Sequence, residues 1–190
     1  MLEDLIRKNR SCRRFFQKEP VDNDTLKSLV NLARLSGSAA NLQPLKYILS
    51  NDPHKNELIF SCLAWAGYLK DWPGPPEGER PSAYIIVVGD TEIAKTFSTD
   101  LGIAAQSILL GARERNLAGC MIGSIKQELL RELLHIPERF EIILVIALGK
   151  PRETVVLEEI TPGGSIKYWR DEHGTHHVPK RTLEEIILSD

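Results

Sequence analysis

Residues 83–89 read Ala-Tyr-Ile-Ile-Val-Val-Gly, an uncharged run with β-branched side chains at Ile85, Ile86, Val87 and Val88. A run this short and this apolar fits a buried strand better than a helix. Ile142–Leu148 (Ile-Ile-Leu-Val-Ile-Ala-Leu) reads the same way and is ended by Gly149 and Pro151. Leu45–Ser50 and Leu117–Ile122 add two shorter strands. Helical spacing fills the intervals. Leu26, Leu29, Val30 and Ala33 follow the N-cap candidates Asp22, Asn23 and Asp24. Residues 55–69 are helically patterned; Leu101, Ala104, Ala105, Ile108 and Ala112 mark a long helix, and Leu129–Leu134 a helix that stops before Pro137. Leu2, Leu5 and Ile6 open the chain on a helix and residues 183–188 close it on another. Ile166–Arg170 and Thr175–Val178 flank Asp171-Glu172-His173-Gly174, which predicts a hairpin. Helices and few, widely spaced strands interleave, so the expected class is α+β (mixed), with a small sheet sandwiched between helices.

The chain has 190 residues, of which 42% are hydrophobic and 26% charged. That composition supports a core and excludes global disorder. Lys and Arg number 24 against 26 Asp and Glu, a net charge of -2, which argues against a nucleic-acid binder. Cys12, Cys62 and Cys120 are distant and odd in number, so reduced thiols are expected rather than a disulfide framework. Met1 is followed by Leu2-Glu3-Asp4 instead of a basic-then-apolar leader, and no apolar run is long enough to span a bilayer. The expectation is a cytoplasmic protein with one domain over residues 1–190. Residues 72–81, Trp-Pro-Gly-Pro-Pro-Glu-Gly-Glu-Arg-Pro, hold four of the 11 prolines and exclude regular structure. Residues 65–82 are therefore read as a surface excursion or lid, a domain linker being the other reading.

Several side-chain groups are candidates for chemistry. Arg10, Ser11 and Arg13 lie just past a helix and suit a phosphate, because guanidinium makes bidentate, charge-assisted bonds to phosphate oxygens. A solvated basic turn is the bland alternative, and Lys180-Arg181 is a second small cluster. In Ser36–Pro44, small residues would let the backbone approach a flat ligand, with Ser, Asn and Gln supplying donors and acceptors. An ordinary helix-to-strand connection has the same composition. His173, His176 and His177 either belong to a metal site or decorate an exposed hairpin, and the absence of cysteine or carboxylate at ligand spacing beyond Asp171 and Glu172 favours the hairpin. Val87-Val88-Gly89-Asp90 follows a strand, but the Gly-x-Gly-x-x-Gly of dinucleotide folds is absent. Cys12, among arginines, is either a thiol of lowered pKa or a filler. Trp65, Trp72 and Trp169 either wall a pocket or pack, Trp72 being the lid candidate.

Two of these segments, in order, carry a family resemblance. Asn9-Arg10-Ser11-Cys12-Arg13-Arg14-Phe15 resembles the Arg-Arg-Ser-x-Arg-x-Phe opening of the FMN-dependent nitroreductase family, and Ser38-Ala39-Ala40-Asn41-Leu42-Gln43-Pro44 resembles its Ser-x-x-Asn-x-Gln-Pro signature. Asp100–Gln106 is similar to that family's central helix, Leu117–Gly123 to the glycine-bearing turn after it, Ile136-Pro137-Glu138 and Ala147–Pro151 to its late core strand, and His177–Arg181 to its basic C-terminal element. The resemblance implies a three-layer α/β/α sandwich with a small, mostly antiparallel sheet, and a homodimer with one FMN in each of two interface pockets. By the same resemblance Arg10, Ser11 and Arg13 would hold phosphate and ribityl oxygens, with Lys180 and Arg181 adding phosphate contacts. Ser38, Asn41 and Gln43 would come from the partner subunit or the pocket floor, and the backbone at Ile122 and Gly123 would lie against the flavin. It further implies hydride transfer from NAD(P)H through the flavin to nitroaromatics, quinones or free flavins in ping-pong fashion, with no protein nucleophile and no metal, since FMN supplies the electron chemistry. The pattern departs at Asn9, where many relatives carry arginine, and the polar pair expected at the pyrimidine edge has no clear counterpart in Trp65–Trp72, Lys70 being readable as its cation or as a surface lysine. Rival readings are a reductive dehalogenase or flavin-processing relative on the same fold, and a non-catalytic FMN store or sensor.

Overall fold

The computed structural model describes residues 1–161 and 163–189. Successive side chains of a strand point to opposite faces, and the uncharged run becomes β2 (Ala83–Asp90), buried along its whole length because both faces are covered. Ala83, Ile85 and Val87 enter one core with Leu26 and Leu29 of α2 (Asn23–Leu35) and Ala104, Ala105, Ile108 and Ala112 of α4 (Ser98–Glu114). Tyr84, Ile86 and Val88 enter a second core with Ile59 of α3 (Pro53–Ser61) and Leu130 of α5 (Gln127–Leu134). Helices thus cover both faces of one sheet, the expected α/β/α layering. α1 (Leu2–Lys8) precedes these elements.

The main sheet has the order β1-β2-β4-β3, with β1 (Leu45–Ser50), β3 (Ala118–Ile122) and β4 (Phe140–Gly149), and every pairing is antiparallel. In register, Ile86 faces Ile48 on one side and Val145 on the other, and Cys120 faces Ala147. Local signals set the start of α2 as expected and that of α3 through an unforeseen cap. Asp22 caps α2 by accepting from the Thr25 amide at 2.6 Å, and Asp52 caps α3 by accepting from Lys55 at 2.8 Å with Pro53 in the first turn.

Three expectations are corrected. The helix predicted over residues 55–69 ends at Ser61, because tertiary bonds compete for the next backbone groups: Ala64 N donates to Ser124 O at 3.0 Å and Lys126 N to Cys62 O at 2.8 Å. The predicted hairpin shrinks to β6 (Trp169–Arg170) against β7 (His176–Lys180) and gains an unforeseen parallel neighbour, β5 (Val155–Glu159), giving a second sheet of order β5-β7-β6. β5 is half-exposed and pairs with a strand far along the chain, and its apolar run is only Val155-Val156-Leu157 before Glu158 and Glu159, shorter than those that marked the central strands. The closing helix, α6, is confined to Leu183–Ile186.

Candidate functional site

The basic segment after α1 is laid along the β3 edge. Cys12 N donates to Gly119 O at 2.9 Å, and Ser11 bridges to Gly119. Further on, Phe15 N donates to Glu79 O at 2.9 Å and Phe16 N to Lys150 O at 2.9 Å. This course turns Arg10, Ser11 and Arg13 toward a cavity of about 260 Å³ that Asn9, Met121, Tyr168, His176 and Lys180 also line. A second cavity of about 230 Å³ shares Arg13, Met121 and Tyr168 with the first and adds Trp65, Ala66, Ile122 and Gly123. The two therefore abut as one groove, cationic at one end and lined by small, apolar and backbone groups at the other.

Arg13 is the best-determined member of that groove. Its side chain belongs to a residue only 8% exposed, and its guanidinium stands 4.7 Å from the Tyr168 ring centre. Nη1 donates to His176 Nε2 at 3.1 Å. The Arg13 and Arg14 amides both donate to Glu153, whose fully buried carboxylate accepts from Arg170 at 2.9 Å. Burial lowers the Arg10 pKa from its usual value, and Arg10 Nη2 donates to Ile6 O at 2.8 Å. Cationic groups converging on one cavity favour a compact anion. Cys12 does not become a reactive thiolate: burial, reinforced by Glu153, pushes its thiol up to about 12.

The Ser38–Gln43 loop lies elsewhere in the chain. Ser38 and Gln43 line a cavity of about 180 Å³ with Tyr47 and Asp100, and none of its lining residues belongs to the groove. Asp100 accepts from the Ser38 hydroxyl and, at 2.9 Å, from the Ala39 amide. Gln43 N donates to Ser38 Oγ at 2.8 Å, and Gln43 Nε2 donates to the Asn41 side chain at 3.2 Å. Ala40, Asn41 and Gln43 hold φ of 49°, 56° and 53°, a left-handed backbone that Asn tolerates and Ala and Gln do not favour. Arg181 is outside the groove and pairs with Glu185. Lys70 is exposed and lines neither groove cavity.

The histidines correct the exposed-hairpin reading. Only His173 is exposed; His176 is 1% exposed and faces Arg13, while His177 bridges Glu158 at 2.5 Å and Asp171 at 3.3 Å under a stacked Trp169 ring 4.0 Å away. Adjacent residues of a strand face opposite ways, which separates the two roles. No cluster of His, Cys, Asp and Glu suited to a metal occurs among the described residues. Trp65 lines the groove, and Trp72 lies under Arg170 with 4.7 Å between guanidinium and ring centre.

FMN is a phosphate joined by a ribityl chain to a flat ring system, and the groove offers cations at one end and apolar and backbone surface at the other, so the residues present fit that group. Residues 6–73 and 76–150 match the profile described as Nitroreductase family. The chain belongs to this family. Among nitroreductase relatives, an Archaeoglobus fulgidus protein provisionally named NADH dehydrogenase/NAD(P)H nitroreductase is 27% identical over 157 residues, covering 78% of this chain and 84% of its own. The 5,6-dimethylbenzimidazole synthase of Rhodospirillum rubrum is 23% identical over 176 residues, covering 77% and 81%. The nitroreductase fold is seen in a Streptococcus pneumoniae family member with a TM-score of 0.70 at 16% identity, covering 100% of both chains. It is seen too in the NADPH:FMN oxidoreductase of Vibrio harveyi, with a TM-score of 0.62 at 23% identity, covering 79% of this chain and 68% of that one.

The match stops at residue 150. Glu153, Tyr168, Arg170 and His176 all hold or line the groove, yet all lie beyond it. Adjacent His176 and His177 in a short strand were the one usable signal, because a strand sends neighbours to opposite faces.

Proposed function

We propose that this nitroreductase-family chain is an FMN-dependent, NAD(P)H-using oxidoreductase. Bound FMN would supply the hydride chemistry between the reduced nicotinamide and a nitroaromatic, quinone or free flavin, in a ping-pong cycle. The observation that carries the reading is the polarity of the groove: Arg10, Ser11, Arg13 and Lys180 at one end, Ile122 and Gly123 at the other. Arg10, Arg13 and Lys180 would hold the phosphate, and the Ser11 hydroxyl a ribityl or phosphate oxygen. The Ile122–Gly123 backbone and Trp65 would bound the ring and exclude water from one side of it.

Within one chain Ser38 and Gln43 line a cavity that shares no residue with this groove, and Asn41 lines neither groove cavity. A second copy supplies them, so the working form is a homodimer with residues 1–190 as one flavin-binding domain per subunit. Three buried free cysteines suit the reducing cytoplasm where NAD(P)H is available.

Purified protein should be yellow, elute at twice the chain mass in light scattering, and bleach anaerobically on addition of NADH or NADPH. Reoxidation by a quinone should restore the colour. Protein that stays colourless after incubation with FMN refutes the cofactor, and protein that binds FMN without oxidising NAD(P)H is a store or sensor instead.

A further inference from the structure

We infer that His176 is a positioning residue for the phosphate end of the groove and acts through Arg13. The inference rests on the FMN reading above and concerns His176, a residue beyond the family match. A guanidinium has donors and no acceptor, so in the 3.1 Å contact Arg13 Nη1 must donate and His176 Nε2 must accept. The imidazole is therefore neutral, with its proton on Nδ1, an atom buried without a partner among the described residues. The charges around it maintain that state. Arg13 faces it directly and Arg170 sits opposite it in the β6–β7 register, while Arg10 and Lys180 line the same cavity. Glu153 is paired with Arg170, and His177, with its carboxylate partners Glu158 and Asp171, follows on the opposite face of β7.

His176 is one of three restraints on the same arginine. Glu153 holds the Arg13 main chain, the Tyr168 ring covers one side of the guanidinium at 4.7 Å, and His176 takes the Nη1 end. Tyr168 in turn packs 5.2 Å from the His176 ring and 4.9 Å from Tyr68. A long arginine side chain otherwise loses considerable rotamer freedom when it grips a ligand. Here that loss is taken on folding, and Arg13 is held as a wall of the cavity shared with Arg10, Ser11 and Lys180. His176 lines the phosphate compartment and not the one bounded by Ile122 and Gly123, which separates this role from proton transfer at the ring.

The test measures dissociation constants for FMN and riboflavin, by quenching of flavin fluorescence, on purified protein stripped of flavin. Wild type, His176→Ala, His176→Gln, Arg13→Ala and the double Ala variant are compared, with thermal unfolding by circular dichroism on each. The expected result is about tenfold weaker FMN binding in His176→Ala with riboflavin binding unchanged, and recovery in His176→Gln, whose amide oxygen can accept from Arg13. In the Arg13→Ala background, His176→Ala should add nothing. Equal FMN affinity in wild type and His176→Ala overturns the inference. So does an equal loss for both flavins, or additivity with Arg13→Ala, each of which marks a merely structural histidine. Wild-type protein that binds neither flavin refutes the FMN reading itself and this inference with it, whereas a wild type that binds FMN isolates the fate of His176.

Discussion

Asp100, in the first turn of α4, receives the hydroxyl of Ser38 and the amide of Ala39 on one carboxylate. That pair sets the entry to a loop whose next residues adopt left-handed backbone, and Gln43 N closes it by donating to the same Ser38 oxygen at 2.8 Å. A helix in the core thus dictates the shape of a loop proposed to serve the neighbouring subunit.

Asp100→Ala should release both donors and cost about 1–3 kcal/mol of stability, the cost of leaving partly buried donors without an acceptor. Asp100→Asn keeps one acceptor oxygen and should fall between. Urea titration gives the stability. Turnover with a quinone should drop further than stability explains, because the loosened loop carries Asn41 and Gln43.

Removing the Arg13 guanidinium would take away the proposed charge-assisted bond to the phosphate, about 1.5–3 kcal/mol. Arg13→Ala should therefore raise the FMN dissociation constant roughly ten- to hundredfold, read by calorimetry. Lysine should restore only part, since it offers no planar face to Tyr168.

The two adjacent histidines should shape stability against pH with opposite signs. Burial, then Arg13 and Arg170, push His176 down to about 4 from its ordinary 6.5. Between those values the unfolded chain binds a proton that the folded chain does not, so stability from this group falls as pH drops through the window. For His177, burial lowers the pKa, but hydrogen bonds to Glu158 and Asp171 outweigh it and the net shift is upward. Its contribution is present below the ordinary value and is lost as pH rises through the folded pKa. Urea midpoints measured from pH 4.5 to 8 should show a shallower acid-side decline in His176→Gln. His177→Gln should lose stability chiefly at the acid end; a parallel offset at every pH would contradict the assignment.

Gly119 lies where a side chain has no room. A Cβ there would stand 2.6 Å from the Ala147 carbonyl oxygen, a backbone atom that cannot step aside. Gly119→Ala should cost about 1–3 kcal/mol, as overpacking does. Because Gly119 also anchors Ser11 and Cys12, flavin retention should suffer with it, checked by the absorbance ratio of the purified variant.

The strands at 83–89 and 142–148 were legible because burial on both faces demands uninterrupted apolar side chains, and α2 and α4 because one face of each repeats at helical spacing. Arg10, Ser11, Arg13 and Lys180 were legible as a chemical type and do share a cavity. Arg181 has the same type and sits outside, paired with Glu185. Nothing local separates the two, since charge alone does not say which way a side chain faces. β5 was hidden because its partner is β7, and a half-exposed parallel pair leaves only the three apolar residues Val155-Val156-Leu157 to read.

What the sequence by itself determined is what short-range physics controls: caps, helical faces, buried runs, the proline-rich break, and the motifs that place the chain in its family. What only the tertiary structure decided is which charged groups meet. Arg13 reaches His176 across 163 residues, Glu153 is carried under the Arg13 amide, and the Ser38 loop is held on Asp100, away from the groove. Caps and periodicities act over a few residues, whereas these contacts join residues far apart in the chain and exist only once the fold has formed.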